Sequence, residues 1–132
     1  MKNKMIKIIK IFSIIAGVIT VITLAGYYTL DYLFGNMCGN DITYKEVSPK
    51  GDKVAYIFER NCGATTGYSY HLSIMDSDQK LTNKSGNTFV SDDLFRINWI
   101  NNKKILVNYP KSTETYEMDR HVNGTKIVYL GK

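Results

Sequence analysis

The stretch IFSIIAGVITVITLAGYYTL, residues 11–30, decides how this chain is organised. It holds twenty residues without a charge, and as an α-helix it would be about 30 Å long, the thickness of a bilayer's hydrocarbon layer. A helix satisfies its own backbone hydrogen bonds, as hydrocarbon requires. Its few polar side chains can bond back to carbonyls of the preceding turn: Ser13, Thr20, Thr23 and Thr29. The stretch therefore predicts a transmembrane helix over residues 11–33.

The charges on either side of this stretch predict its orientation. Four lysines precede it with no acid among them: Lys2, Lys4, Lys7 and Lys10. Asp31 is the first charge after it, so the lysine bias holds the N-terminus in the cytoplasm. Tyrosines favour the headgroup level and mark the outer boundary: Tyr27, Tyr28 and Tyr32. We expect a single-pass protein of the cell membrane, with a cytoplasmic basic segment (1–10), a linker (34–40) and an extracytoplasmic domain (41–132).

Three other interpretations of the stretch are weaker. A cleaved secretory signal would use Thr23-Leu24-Ala25 as its processing site, but the apolar run exceeds the usual ~7–15 residues of a signal. A lipoprotein anchor lacks a small-residue lipobox before Cys38. A core helix of a soluble protein has a polar face, whereas this one is apolar all round. The first two would still leave the remaining chain outside the cell.

The net charge of +5 comes largely from the segment before the membrane. Removing its four lysines leaves thirteen basic residues against twelve acidic ones, so the outer part is close to neutral and its charges are interspersed. Nucleic-acid binding needs a concentrated basic face. The composition therefore predicts one small domain of roughly a hundred residues and no nucleic-acid partner.

The two cysteines, Cys38 and Cys62, both lie on the predicted outer side, where disulfides form and persist. We predict that they pair. Closing a loop of about 25 residues would stabilise the domain by roughly 3 kcal/mol. A metal site is disfavoured because no histidine pair lies near the cysteines in sequence. A nucleophilic thiol is disfavoured because the spacing places no general base beside either cysteine. No metal and no cofactor is predicted.

The rest of the chain shows short β runs separated by turn residues. Seven strands are predicted, at residues 41–47, 53–58, 68–75, 94–100, 104–109, 113–118 and 125–130. Pro49-Lys50-Gly51 and Asn123-Gly124 are turn signals, the second joining the last two strands into a hairpin. Residues 81–93 have no clear periodicity and are predicted to be a mobile loop. We expect a mainly β fold, a small antiparallel β-sandwich or curled meander of about seven strands, mostly in consecutive hairpins.

One segment resembles a known family. FERNCGATTG, residues 58–67, followed by YSYHLSI, residues 68–74, is similar to a motif in a family of small, uncharacterised bacterial proteins. In them a membrane segment or signal precedes a β domain. The family is a domain of unknown function, so the resemblance implies a membrane-anchored or secreted β domain and no activity.

The same segment holds the candidate binding loop. Glycines that flank two threonines let backbone amides and hydroxyls approach a ligand, and aromatic residues follow on a strand. The candidate residues are Gly63, Thr65, Thr66, Gly67, Tyr68, Tyr70 and His71. The alternative is a turn tethered by the disulfide, with Tyr68 and Tyr70 in the core because they are in phase with Leu72 and Ile74.

No catalytic residues are predicted. His71 lies on the polar phase of its strand and His121 in a turn, so both are expected at the surface, and no nucleophile or acid–base pair accompanies them. The leading hypothesis is a membrane-tethered extracytoplasmic module that binds a protein partner, including an immunity or exclusion protein at the cell surface. The alternatives are an accessory subunit that docks on a larger membrane complex through its helix and, least favoured, an extracytoplasmic hydrolase.

Overall fold

The structure, a computed structural model, describes residues 1–34, 37–63 and 67–132. It divides into two compact units, Met1–Met37 and Cys38–Lys132. The first unit is a single helix and the second is built from strands. The predicted mainly β fold with one N-terminal apolar helix is confirmed.

Helix α1 spans Lys2–Phe34, 33 residues, and none of its side chains is buried. It therefore starts before the predicted residue 11, because lysine has a good helix propensity and continues the helix into the basic segment. Three threonine hydroxyls donate to carbonyls of the preceding turn, from Thr20 to Ala16 at 2.9 Å, Thr23 to Ile19 at 3.0 Å and Thr29 to Ala25 at 2.7 Å. An 18-residue stretch of α1 has a mean hydropathy of 2.4, so the helix is long and apolar enough to cross a membrane, a property that signal sequences share.

Nine strands follow among the described residues. They are β1 (Gly39–Val47), β2 (Lys53–Asn61), β3 (Tyr68–Asp76), β4 (Phe89–Ser91), β5 (Arg96–Asn101), β6 (Lys104–Tyr109), β7 (Thr115–Met118), β8 (His121–Val122) and β9 (Thr125–Gly131). A five-stranded sheet has the order β1-β2-β3-β4-β7, and a four-stranded sheet has the order β5-β6-β9-β8. All pairs are antiparallel except β6 with β9, which is parallel.

The main hydrophobic cluster takes side chains from both sheets. The five-stranded sheet contributes Ala55, Ile57, Leu72, Ile74 and Phe89, and the four-stranded sheet and its approach contribute Phe95, Ile97, Ile105, Val107 and Ile127. Alternate residues of each strand point into this cluster, as the period of two in a β-strand requires. Burial of these side chains is the main force that holds the two sheets together.

A second, smaller cluster lies on the other face of β2. Val54, Tyr56 and Phe58 are buried there, with Met75 and Leu81 packed against them. Because Leu81 belongs to the segment between β3 and β4, that segment covers this face of the sheet. Strand β2 is consequently buried on both faces, which explains its nearly continuous apolar sequence.

The structure corrects three predictions about the strands. Residues 81–93 were expected to be a loop, yet β4 lies within them and is fully buried. The strand predicted at 113–118 does not pair with the last strand, since β7 joins β4. The Asn123-Gly124 turn, with φ of 48° and 74°, instead joins the short β8 to β9. These differences raise the strand count from about seven to nine.

The two predicted hairpins at β1–β2 and β5–β6 are present. Their turns also meet, because the backbone N–H of Lys50 donates to Oδ1 of Asn102 at 2.7 Å. In addition, Nε1 of Trp99 donates to the carbonyl of Glu46 at 3.3 Å. The first hydrogen bond joins the two turns, and the second joins β1 to β5, which are edge strands of the two sheets.

Candidate functional site

The cysteine pair closes the open end of the first hairpin. Gly39 pairs with Asn61 in the β1–β2 register, so Cys38 and Cys62 are the next two residues beyond it. Their sulfur atoms lie at bonding distance, as predicted. The bond joins the first strand to the residue that precedes the candidate loop.

The candidate loop is described only in part. Thr65 and Thr66 lie outside the described residues, so the binding role predicted for them stays a prediction. Gly63 and Gly67, on either side, have φ of 104° and 65°. These are conformations that glycine adopts without strain, so glycines are needed on both sides of the loop.

The remaining candidate residues do not form one surface. Tyr70 packs against the main cluster, and Tyr68 contacts its ring edge-on at a centroid distance of 6.1 Å while remaining 58% exposed. His71 points to the opposite face of β3, as alternation along a strand demands. Of the described candidates, Tyr68 is the large side chain that a partner can contact.

His71 was predicted to lie at the surface, and this prediction is wrong, because only 4% of the residue is exposed. Its ring stacks on Phe58 with centroids 5.4 Å apart. Nδ1 accepts the backbone N–H of Gly86 at 3.0 Å, and Nε2 lies 2.8 Å from Oγ of Ser69. Since an amide only donates, Nδ1 is unprotonated and Nε2 carries the hydrogen. Both ring nitrogens are thus used within the fold.

The pKa of His71 is lowered to about 4, first by burial and second by the positive charge of Arg60. The imidazole is therefore neutral at pH 7. A neutral, enclosed ring with both nitrogens bonded cannot take a proton from a substrate at the surface. Its geometry fits a structural role.

Gly86 explains how the covering segment can bury His71. A Cβ on Gly86 would lie 2.7 Å from the carbonyl oxygen of Leu72 and 3.0 Å from Cβ of His71. Only a residue without a side chain can approach β3 so closely. Ser85-Gly86-Asn87 has the composition of a loop, and the glycine in it is the one sequence signal of this close backbone contact.

Asparagines complete the attachment of this segment. The side chain of Asn87 pairs with both backbone groups of Ile74, at 2.9 and 3.0 Å. Nδ2 of Asn40 donates to the carbonyls of Thr82 and Lys84 at 3.1 and 2.8 Å. Residues typical of loops in sequence thus replace missing strand hydrogen bonds in the fold.

Arg60 connects the same segment to the cysteine pair. Its guanidinium donates to Oδ1 of Asn40 at 2.6 Å and to Oδ1 of Asn83 at 3.1 Å. Nδ2 of Asn83 in turn donates to the carbonyl of Cys38 at 2.6 Å. The polar residues around the cysteine pair therefore hold strand and segment together.

A groove that the sequence did not predict opens between the edges β1 and β5. It has a volume of about 400 Å³ and is lined by Thr43, Tyr44, Ile57, Leu94, Phe95, Arg96, Ile97 and Asn98. Tyr44 and Leu94 are 48% and 50% exposed at its mouth. Ile57 and Ile97 are buried core residues that the groove reaches. The groove is mainly apolar with one cation, Arg96, at its rim.

Within the described residues no group of three or more His, Cys, Asp and Glu side chains is arranged to hold a metal ion. Comparisons with protein-family models, with curated proteins and with solved structures found no match to this chain. The resemblance based on residues 58–67 therefore stays a prediction.

Proposed function

We propose that the protein is an extracytoplasmic interaction module tethered to the cell membrane by α1, with its N-terminus in the cytoplasm. The observation that carries the proposal is a helix of 33 residues with no buried side chain, which contains an uncharged run of twenty residues, 11–30. So much exposed apolar surface is unstable in water and favourable in a bilayer.

The second unit supports the outer location. The bonded cysteine pair is typical of oxidising compartments outside the cytoplasm. The cluster shared by the two sheets supports a sandwich-like domain that is stable without help from the helix. Such a domain suits a module held at the membrane by a short linker.

The groove between β1 and β5 is the proposed contact site for a protein partner. In the described residues β1 pairs only with β2, and β5 only with β6, so both strands present free edges beside an apolar groove. An extended segment of a partner can pair with such an edge while its side chains enter the groove. Tyr44 would supply a large contact area at a low entropic cost.

Cross-linking of the full-length chain in native membranes tests the proposal. A photoactivatable residue at Leu94 should capture one protein, and Tyr44→Ala should reduce that capture by roughly tenfold, the loss expected for an aromatic anchor. Tyr116→Ala is the matched control, since it removes an exposed tyrosine on β7 and should leave capture unchanged. Equal capture by all three proteins would remove the groove as the contact site. Capture only through photoactivatable residues placed within α1 would instead favour the accessory subunit that docks through its helix.

A further inference from the structure

Charge is distributed unequally between the two sheets. The strands of the five-stranded sheet contain five acidic and three basic residues, whereas those of the four-stranded sheet contain Arg96, Lys104 and Lys126 and no acid. None of these three cations forms an ion pair with a described residue. The net charge of the outer unit is therefore close to zero although its four-stranded sheet is basic.

The three cations lie on one face. Ile97, Ile105, Val107 and Ile127 point into the core, so the alternate positions point outward. Arg96 pairs with Asn108, and Lys104 with Lys126, in the strand registers. Between these cations the central strands present outward-facing aliphatic residues, Leu106, Val128 and Leu130. Arg96, Lys104, Leu106, Lys126, Val128 and Leu130 together form what we call the basic face.

We propose that the basic face binds the headgroups of an anionic lipid bilayer. Its cations would contact lipid phosphates, and Leu106, Val128 and Leu130 would lie at the boundary of the acyl chains. Leu130 is already 45% exposed. An aliphatic surface with a cationic rim is the arrangement that interfacial proteins use, because apolar burial and attraction to anionic lipids then act together.

The composition of the face favours lipid over an acidic protein. Protein interfaces are enriched in aromatic residues and depleted in lysine, whereas two of the three cations here are lysines and no outward position of these described strands holds Phe, Tyr or Trp. The inference rests on the proposed function, since a membrane tether keeps the face close to lipid. Tethering raises the effective concentration to the millimolar range, so weak binding is sufficient.

Quenching by brominated lipids tests this inference on the full-length chain in nanodiscs. Leu130→Trp places a reporter on the basic face, and the wild type gives the baseline because its single tryptophan, Trp99, packs against the core. We expect strong quenching of the introduced tryptophan in brominated phosphatidylglycerol and little in brominated phosphatidylcholine. NaCl at about 1 M shortens the Debye length to about 3 Å and should abolish the difference.

Charge-matched variants identify the surface involved. Each cation near an anionic bilayer strengthens binding by roughly fivefold, so Arg96→Gln with Lys104→Gln and Lys126→Gln should weaken it by roughly a hundredfold and reduce quenching to the phosphatidylcholine level. The control removes three exposed cations elsewhere, Lys50→Gln with Lys80→Gln and Lys84→Gln, and should keep the quenching.

Two results would overturn the inference. The first is equal quenching in the two lipids, and the second is binding of the basic face to polyglutamate without any to phosphatidylglycerol, which would indicate an acidic protein partner. Insertion of the chain into nanodiscs tests the proposed function separately. A chain that fails to enter nanodiscs contradicts the membrane tether, whereas a chain that enters them without lipid-dependent quenching contradicts only the basic face.

Discussion

His71 links the stability of the fold to pH. Its pKa is lowered to about 4 by burial first and by Arg60 second, whereas an unfolded chain titrates near 6.5. The unfolded state therefore binds more protons between pH 6.5 and pH 4, and stability falls as the pH falls through this window. We expect this group to lower the free energy of unfolding by about 2 kcal/mol from pH 7 to pH 5, measured by urea denaturation in detergent.

The variant His71→Asn isolates this effect. The asparagine oxygen can still accept the N–H of Gly86, but it does not titrate. Carboxylates such as Asp76, whose pKa is lowered chiefly by its hydrogen bond to Lys53, contribute equally in both proteins. The variant should lose the part of the pH dependence that lies between pH 6.5 and pH 4. Parallel stability curves for the two proteins would contradict the burial of a neutral His71.

Gly86 is the position where a single methyl group should matter most. In Gly86→Ala the new Cβ would meet the carbonyl of Leu72 at 2.7 Å, so the covering segment must move away from β3. We expect a loss of about 1–3 kcal/mol in the free energy of unfolding. Gly39→Ala is the control, because apart from its chain neighbours no heavy atom of the described residues lies within 4 Å of its added Cβ. Equal stability of the two variants would contradict the close contact.

At the scale of elements, the cysteine pair joins β1 to the end of β2. An alkylating reagent should modify neither Cys38 nor Cys62 in unreduced protein. The double variant Cys38→Ser with Cys62→Ser should lose roughly 3 kcal/mol of stability, since the bond closes a loop with a sequence separation of 24 residues. A reducing agent should destabilise the wild type and leave the double variant unchanged. Free thiols in protein isolated from membranes would contradict the bond.

The segment between β3 and β4 is the element whose role differs most from its sequence pattern. The side chain of its Asn87 bonds to the backbone of β3, and its Thr82 carbonyl accepts a hydrogen bond from Asn40 of β1. Its Leu81 packs against the second face of β2. Its asparagines therefore act as substitutes for strand partners. This explains why a stretch without periodicity covers a hydrophobic cluster.

For the whole molecule, the charge pattern around α1 predicts its orientation in the membrane. Proteinase K added to intact cells should remove an epitope tag at the C-terminus, because the lysines before α1 hold the N-terminus inside. An N-terminal tag should resist digestion until the cells are permeabilised, which serves as the control. A protected C-terminal tag with an exposed N-terminal one would contradict the proposed topology.

The sequence by itself determined the apolar helix, most of the strands and the hairpins β1–β2 and β5–β6. Each of these depends on a local signal: an uncharged run long enough to span hydrocarbon, alternation along a strand, or a turn residue between two strands. The pairing of Cys38 with Cys62 could also be predicted, because both cysteines follow the helix in sequence and no histidine pair near them suggests a metal site instead.

The tertiary structure alone decided which strands meet. The parallel pairing of β6 with β9, the insertion of β4 beside β3 and the burial of His71 depend on partners distant in sequence, and no local pattern encodes such contacts. The same holds for the groove between β1 and β5 and for the basic face. Acidic and basic residues are interspersed along the sequence, yet the strands of the four-stranded sheet carry only basic ones. This happens because the order of strands in a sheet differs from their order in the chain.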